Sequence, residues 1–341
     1  MEHFFESIIP GLPMWALLLF IGATLALLAK AADILVAQAV ALSRQWQVAP
    51  MVIGATIVSL GTTLPEAAVS VTAAVQGNPD LALGNAVGSI ICDAGLILGI
   101  ALLLGRIPLD RAVVNRQGWL QIAAAFLLIG LCIPFGTGVN VFEEGGRLPQ
   151  WGGWLLVGLL VVYLAWTLRS GRGQSVPVVE TAEPLAAEPV RALMTLGKLV
   201  FAIALVVIAS HLLIPGVEEV ALRMEVPQAL IAATLVAFGT SLPELVTAVA
   251  SVRRGRGDLA LGNIIGADIL NVLFVAGAAA AVTPAGLYAS PEFFRLLFPA
   301  MAGILIILRI AIHFSGQELH RGTGFLLLGA YLLVTGVSYF S

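Results

Sequence analysis

Charge is what this sequence lacks. Asp, Glu, Lys and Arg together make up 11% of its 341 residues, whereas a soluble globular chain carries about a quarter. A chain so short of charge cannot cover itself with polar surface, which excludes a freely water-soluble fold. Cysteine is nearly absent as well. Cys92 and Cys132 stand alone in apolar runs, so neither a disulfide framework nor a C-x-x-C metal site is expected. No basic run is interleaved with aromatics and the net charge is only −3, which leaves nucleic acid without support as a partner. Residues 1–13 hold no Lys or Arg ahead of the first apolar run, unlike a cleaved signal peptide, so that run reads as a first membrane span.

What is present in abundance is apolar sequence: 59% hydrophobic residues and a mean hydropathy of +1.01. A helix needs about 20 mainly apolar residues to cross roughly 30 Å of hydrocarbon. Ten such segments can be read, at 13–42, 50–76, 81–104, 118–136, 152–168, 195–222, 227–252, 259–283, 293–312 and 323–340. Between the fifth and sixth lies 169–192, a polar stretch with Pro177, Pro184 and Pro189, read as a cytoplasmic linker between halves 1–168 and 193–341. The expected fold is an all-α membrane protein of ten transmembrane helices. Alternate loops carry thirteen of the basic residues, among them Arg106, Arg111, Arg116, Arg253, Arg254 and Arg256, against three (Arg147, Arg223 and Arg295) in the opposite set. The basic set is expected to face the cytoplasm, with both termini outside the cytoplasm and the chain in the cell membrane.

The two halves are related. Residues 55–93 align on 233–271 without a gap, at a constant offset of 178. Gly61-Thr62-Thr63-Leu64-Pro65-Glu66 matches Gly239-Thr240-Ser241-Leu242-Pro243-Glu244, and Asp80-Leu81-Ala82-Leu83-Gly84-Asn85 matches Asp258-Leu259-Ala260-Leu261-Gly262-Asn263. Apolar composition reproduces leucine and alanine by chance, but not Gly, Pro, Glu, Asp and Asn in register. With an odd number of spans per half, related halves enter the membrane from opposite sides. Two inverted five-helix repeats of this kind mark secondary transporters.

In each half the Pro–Glu element falls inside an apolar segment. Proline removes a backbone donor and breaks the helix, which frees carbonyl oxygens beside a carboxylate. Asn85, Ser89 and Asp93 follow at helical spacing on the next segment, and Asn263, Ala267 and Asn271 are their counterparts, with Asp268 nearly on the same face. Hard cations such as Ca²⁺ take six to eight oxygen ligands of these types. Four carboxylates at membrane depth, Glu66, Asp93, Glu244 and Asp268, each cost about 2.5–3.5 kcal/mol on insertion scales and so imply bound cations, protons or both. A lone proline in a span is usually only a kink, and small polar residues such as Asn85, Ser89 and Asn263 often only hold helices together. Repetition of the whole element in both halves argues for function. The G-x-x-x-G spacings Gly84/Gly88 and Gly262/Gly266 are expected to allow close helix packing, and Asp33 and His211 are left outside the site.

The pair G-T-T/S-L-P-E and G-N-x-x-G-x-x-I, present twice, resembles the two alpha repeats of the sodium/calcium exchanger family, within the cation/calcium antiporter superfamily. The likeness is most specific over 54–99 and 232–277. It implies exchange of Ca²⁺ against Na⁺ by alternating access. It also implies Ca²⁺ binding by Glu66 and Glu244, with oxygens of Thr62, Thr63, Thr240 and Ser241 beside them and with Ser89, Asp93, Ala267 and Asn271 at the family's third-helix and eighth-helix polar positions. The sequence departs from the family's usual G-S-N, reading Gly88-Ser89-Ile90 and Gly266-Ala267-Asp268. Ala267 removes a hydroxyl and Asp268 adds a carboxylate, which opens the alternative of Ca²⁺, or another divalent ion, exchanged for H⁺. No cofactor, no obligate protein partner and no enzymatic activity are expected. A channel would need a symmetric pore ring, and an intramembrane hydrolase would need a paired acid and base in repeat register, but Asp93 aligns with Asn271 and Asp268 with Ile90.

Overall fold

The computed structural model describes residues 9–136, 139–170, 189–224 and 239–340. Its helices follow the apolar runs. They are α1 (Met14–Trp46), α2 (Pro50–Thr62), α3 (Leu64–Val75), α4 (Pro79–Leu104), α5 (Arg111–Cys132), α6 (Gln150–Ser170), α7 (Pro189–Arg223), α8 (Leu242–Arg253), α9 (Gly257–Ala281), α10 (Phe293–Phe314) and α11 (Arg321–Phe340). Eight of these are each long and apolar enough to cross a bilayer, and α2 with α3 makes a ninth span bent by 44°. Of the segment expected at 227–252, only the part from 239 is described. The rest of it, most of the 169–192 linker and the first eight residues lie outside the described residues.

Helix ends follow local chemistry. Gln47, at φ 53°, turns the chain out of α1, and Pro50 opens α2 at a position where its missing N–H costs nothing. The Asp110 side chain accepts from the N–H groups of Ala112 (3.1 Å) and Val113 (3.3 Å), so α5 starts at Arg111, seven residues before the apolar run itself.

The structure keeps the 178-residue relation beyond the motif. Helices α3 and α8 both begin one residue before a proline, after Thr63 (φ −83°, ψ −1°) and Ser241 (φ −86°, ψ 8°). Both α4 and α9 widen into a π-helical stretch, at Cys92–Ile97 and Asn271–Ala276. Two short antiparallel strand pairs tie the loops. Strand β1 (Ile107–Pro108) pairs with β4 (Glu318–Leu319), and β2 (Gly146–Leu148) pairs with β3 (Leu287–Ala289). Since α5 runs about 33 Å from β1 to β2, the two pairs sit at opposite ends of the bundle. Arg106, Arg256 and their loops gather at the β1–β4 end, where Gly257 packs on Ile107, while Arg147 lies at the other.

The core is built around α4 and α9. Every residue from Leu259 to Leu270 is buried, so this part of α9 has no outward face and lies inside protein. It meets α2 backbone to backbone. A Cβ on Gly262 would strike the Met51 carbonyl oxygen, and one on Gly266 would come within 2.5 Å of the Ala55 Cα. That accounts for the second G-x-x-x-G pair. For Gly84 and Gly88 the matching partners, residues 229 and 233, fall outside the described residues.

Candidate functional site

The two helix breaks face each other. Glu66 and Glu244 each occupy the first turn of the helix that follows a break, and each is 1% exposed. Thr63 Oγ1 donates to Glu244 Oε1 at 3.5 Å, and Ser241 Oγ donates to Glu66 Oε1 at 3.5 Å. The break residue of one half thus reaches the carboxylate of the other, over 181 and 175 positions of sequence. At that length the contacts are weak. Their information lies in the reciprocity. The remaining oxygen of each carboxylate, Oε2, is buried without a partner, an arrangement that is costly unless something positive fills it.

Around this centre the breaks supply more oxygen. Pro65 and Pro243 have no N–H, so the carbonyls of Gly61 and Gly239 lose their helical donors. The helices restart at once, as the N–H of Ala67 bonds the Thr63 carbonyl (3.1 Å) and that of Leu245 the Ser241 carbonyl (3.1 Å). Thr62 is fully buried and Thr240 nearly so. Asn85 works as a clamp. Its Nδ2 donates to the Glu66 carbonyl (3.2 Å) and to Ser70 Oγ (3.0 Å), while its Oδ1 accepts from Thr240 Oγ1 at 3.4 Å. Its repeat counterpart Asn263 is buried with neither amide atom partnered.

Helices α4 and α9 bring the remaining expected residues to the same region. Ser89, Asp93, Asp268 and Asn271 are at most 2% exposed, and Ser89 Oγ, Asp93 Oδ1, Asp268 Oδ1 and Asn271 Oδ1 lack partners. The carboxyl groups lie within electrostatic range of one another, Glu66 of Glu244 and Asp93, and Asp93 of Glu244 and Asp268. Among the described residues no ion pair involves any of the four. Nor do three Asp, Glu, His or Cys side chains converge there into a ready cage. Carboxylates alone do not make this site; hydroxyl, amide and carbonyl oxygens must complete any coordination shell. Asp33 lies apart in an exposed pair with Arg254 at 2.8 Å.

Two residues in the second rank were not singled out by sequence. Gln121 of α5, 3% exposed, donates through Nε2 to Asp268 Oδ2. Tyr163 of α6 donates its hydroxyl to the Ala55 carbonyl at 2.9 Å, beside Gln117. Ala55 sits in a π-helical stretch, Gly54–Val58, where backbone bonding is displaced and a carbonyl benefits from an outside donor. The available signal was Gln117 and Gln121, four residues apart on one face of an apolar span.

A bundle of apolar helices around a buried, acceptor-rich centre at paired helix breaks is the build of a membrane transporter. The family profile for sodium/calcium exchanger proteins matches residues 15–169 and 194–340, and the chain belongs to that family of membrane antiporters. It is 32% identical to the inner membrane protein YrbG of Escherichia coli K12, over 94% of this chain and 96% of that one. It is 29% identical to the sodium/calcium exchanger MaX1 of Methanosarcina acetivorans, over 95% and 98%. Its fold matches that of the solved sodium-calcium exchanger NCX_Mj with a TM-score of 0.78 at 25% identity, over 95% of this chain and 99% of that one.

Proposed function

We propose that the protein exchanges Ca²⁺ for Na⁺ across the cytoplasmic membrane by alternating access, with Ca²⁺ held between Glu66 and Glu244. The observation that carries this reading is the reciprocal pairing of each break hydroxyl with the opposite glutamate, which leaves one buried oxygen of each carboxylate unpartnered. Thr62, Thr63, Thr240 and Ser241 add neutral oxygens, and Ser89, Asp93, Asn271 and Asp268 flank the centre. This donor set suits a hard cation that wants six to eight oxygens.

Coupling follows from electrostatics. Four carboxylates of like sign in a low-dielectric interior oppose closure of an empty site. Cations relieve that cost, so the protein crosses between its two faces loaded with one ion or the other, and exchange is obligatory. In this scheme the chain is two inverted five-helix repeats, 1–168 and 193–341. The matched breaks, the matched π-helical stretches and the placement of one strand pair at each end support that reading. By the positive-inside rule the β1–β4 end faces the cytoplasm and both termini lie outside it. Neither a cofactor nor a protein partner enters the scheme.

A second reading, Ca²⁺ or another divalent ion against H⁺, is favoured by one observation: Asp268 brings a carboxylate where Ala267 has removed a hydroxyl. The test is Ca²⁺ uptake by proteoliposomes under a Na⁺ gradient and, separately, under a pH gradient. Uptake driven by Na⁺ alone supports the first reading and uptake driven by pH alone the second. Glu66→Gln and Glu244→Gln each remove half the divalent anchor, a loss of about 3–5 kcal/mol or more than a hundredfold in Ca²⁺ transport. Normal transport by both variants overturns the assignment.

A further inference from the structure

Gln121 and Asp268 form a polar pair that has no mate within the repeat relation. Adding the offset of 178 to Gln121 gives Pro299, and subtracting it from Asp268 gives Ile90, neither of which can bind a cation through its side chain. Yet Gln121 and Asp268 find each other across 147 positions, from α5 to α9. The bond occupies Asp268 Oδ2 and leaves Oδ1 buried and unpartnered. One helical turn on, Asn271 presents a second unpartnered oxygen, Oδ1, and Asp93 of α4 a third within electrostatic reach.

We propose that Asp268, oriented by Gln121, anchors a monovalent-cation subsite that is separate from the divalent position and exists in one half of the protein only. This rests on the assignment of Glu66 and Glu244 as the divalent anchor and adds where the counter-ion binds. The chemistry fits. One carboxylate oxygen and one or two neutral or shared oxygens give a lower charge than the paired glutamates, which suits a singly charged hard ion better than a doubly charged one. An amide that donates to Oδ2 fixes the carboxylate plane and so aims Oδ1. Gln121 is a positioning residue here, acting on the ion through Asp268. The asymmetry has a consequence for coupling, since an off-axis site adds one counter-ion that the two-fold motif does not supply.

The experiment compares two fluxes in the same proteoliposomes, Ca²⁺ self-exchange and Na⁺-driven Ca²⁺ uptake, for the wild type, Asp268→Asn and Gln121→Leu. Self-exchange uses only the divalent position and reports folding at the same time. Na⁺-driven uptake by Asp268→Asn is expected to fall at least about tenfold further than its self-exchange, with a reduced Hill coefficient for Na⁺. Gln121→Leu keeps the carboxylate and is expected to raise the half-saturating Na⁺ by about three- to tenfold, more than it alters self-exchange. Equal losses in both fluxes, or unchanged Na⁺ dependence in both variants, overturn the subsite. So does a wild-type protein driven by a pH gradient and by no Na⁺, Li⁺ or K⁺ gradient. Failure of the divalent assignment is read independently, from Glu66→Gln and Glu244→Gln.

Discussion

A glutamate in the first turn of a helix lies among backbone N–H groups that have no helical acceptor, so Glu66 and Glu244 sit where a negative charge is best tolerated without a basic partner. This explains how two carboxylates can be buried at the centre of a nearly uncharged bundle. The hydroxyls around them do smaller but definite work. Replacing Thr63 with Val removes the contact to Glu244 and one candidate ligand oxygen; a Ca²⁺ affinity reduced by about three- to tenfold is expected from flux titrations. Tyr163→Phe tests a different element of the site. It leaves the Ala55 carbonyl without its donor at 2.9 Å and is expected to cost about 1–3 kcal/mol, read as a lower Tm in detergent. The Pro–Glu elements were legible at this scale because proline and glutamate inside apolar runs are conspicuous. Gln121 was not, because one amide in a span looks like ordinary interhelical glue until its partner is known.

Elements owe their placement to a few close approaches. Helix α9 can lie against α2 only because Gly266 offers no side chain to Ala55 and Ser59. The obstacle a Cβ would meet is backbone, which cannot swing aside, so Gly266→Ala must push the helices apart and carry the Ala55 carbonyl away from Tyr163. A destabilisation of roughly 1–3 kcal/mol is expected, with Gly22→Ala, where nothing lies within 4 Å, as the control. Thermal unfolding of both variants in one detergent decides it. Apolar runs located the spans well, but the N-terminus of α5 was set by the Asp110 cap and not by hydropathy. The bend between α2 and α3 was implied by Pro65, whereas its 44° and the π-helical stretches carry no sequence signature.

For the whole molecule, the distribution of charge makes a testable statement about orientation. Gln317 lies in the loop beside β4 and Glu143 in the loop before β2, both exposed and at opposite ends. The native Cys92 and Cys132 are buried and give little background. With the basic loops inside, an impermeant thiol reagent is expected to label Glu143→Cys in intact cells and Gln317→Cys only after the membrane is opened. The reverse pattern overturns the proposed orientation. The arginine loops themselves add little stability: Arg106 and Glu318 pair at 2.6 Å, but Arg106 is 73% exposed, where an ion pair contributes at most about 1 kcal/mol.

The sequence alone determined the membrane as solvent, most of the spans, the relation between halves and the identity of the paired glutamates. Those features rest on composition and on local covalent facts, such as a proline without an N–H, that do not depend on what lies nearby. Tertiary structure decided which oxygens meet. Thr63 finds Glu244, Asn85 closes on the Glu66 carbonyl, and Gln121 finds Asp268 only once packing has brought distant segments within hydrogen-bonding range. Hydrogen bonds of that kind are fixed by distances of a few ångströms between helices, and no periodicity along the chain encodes them.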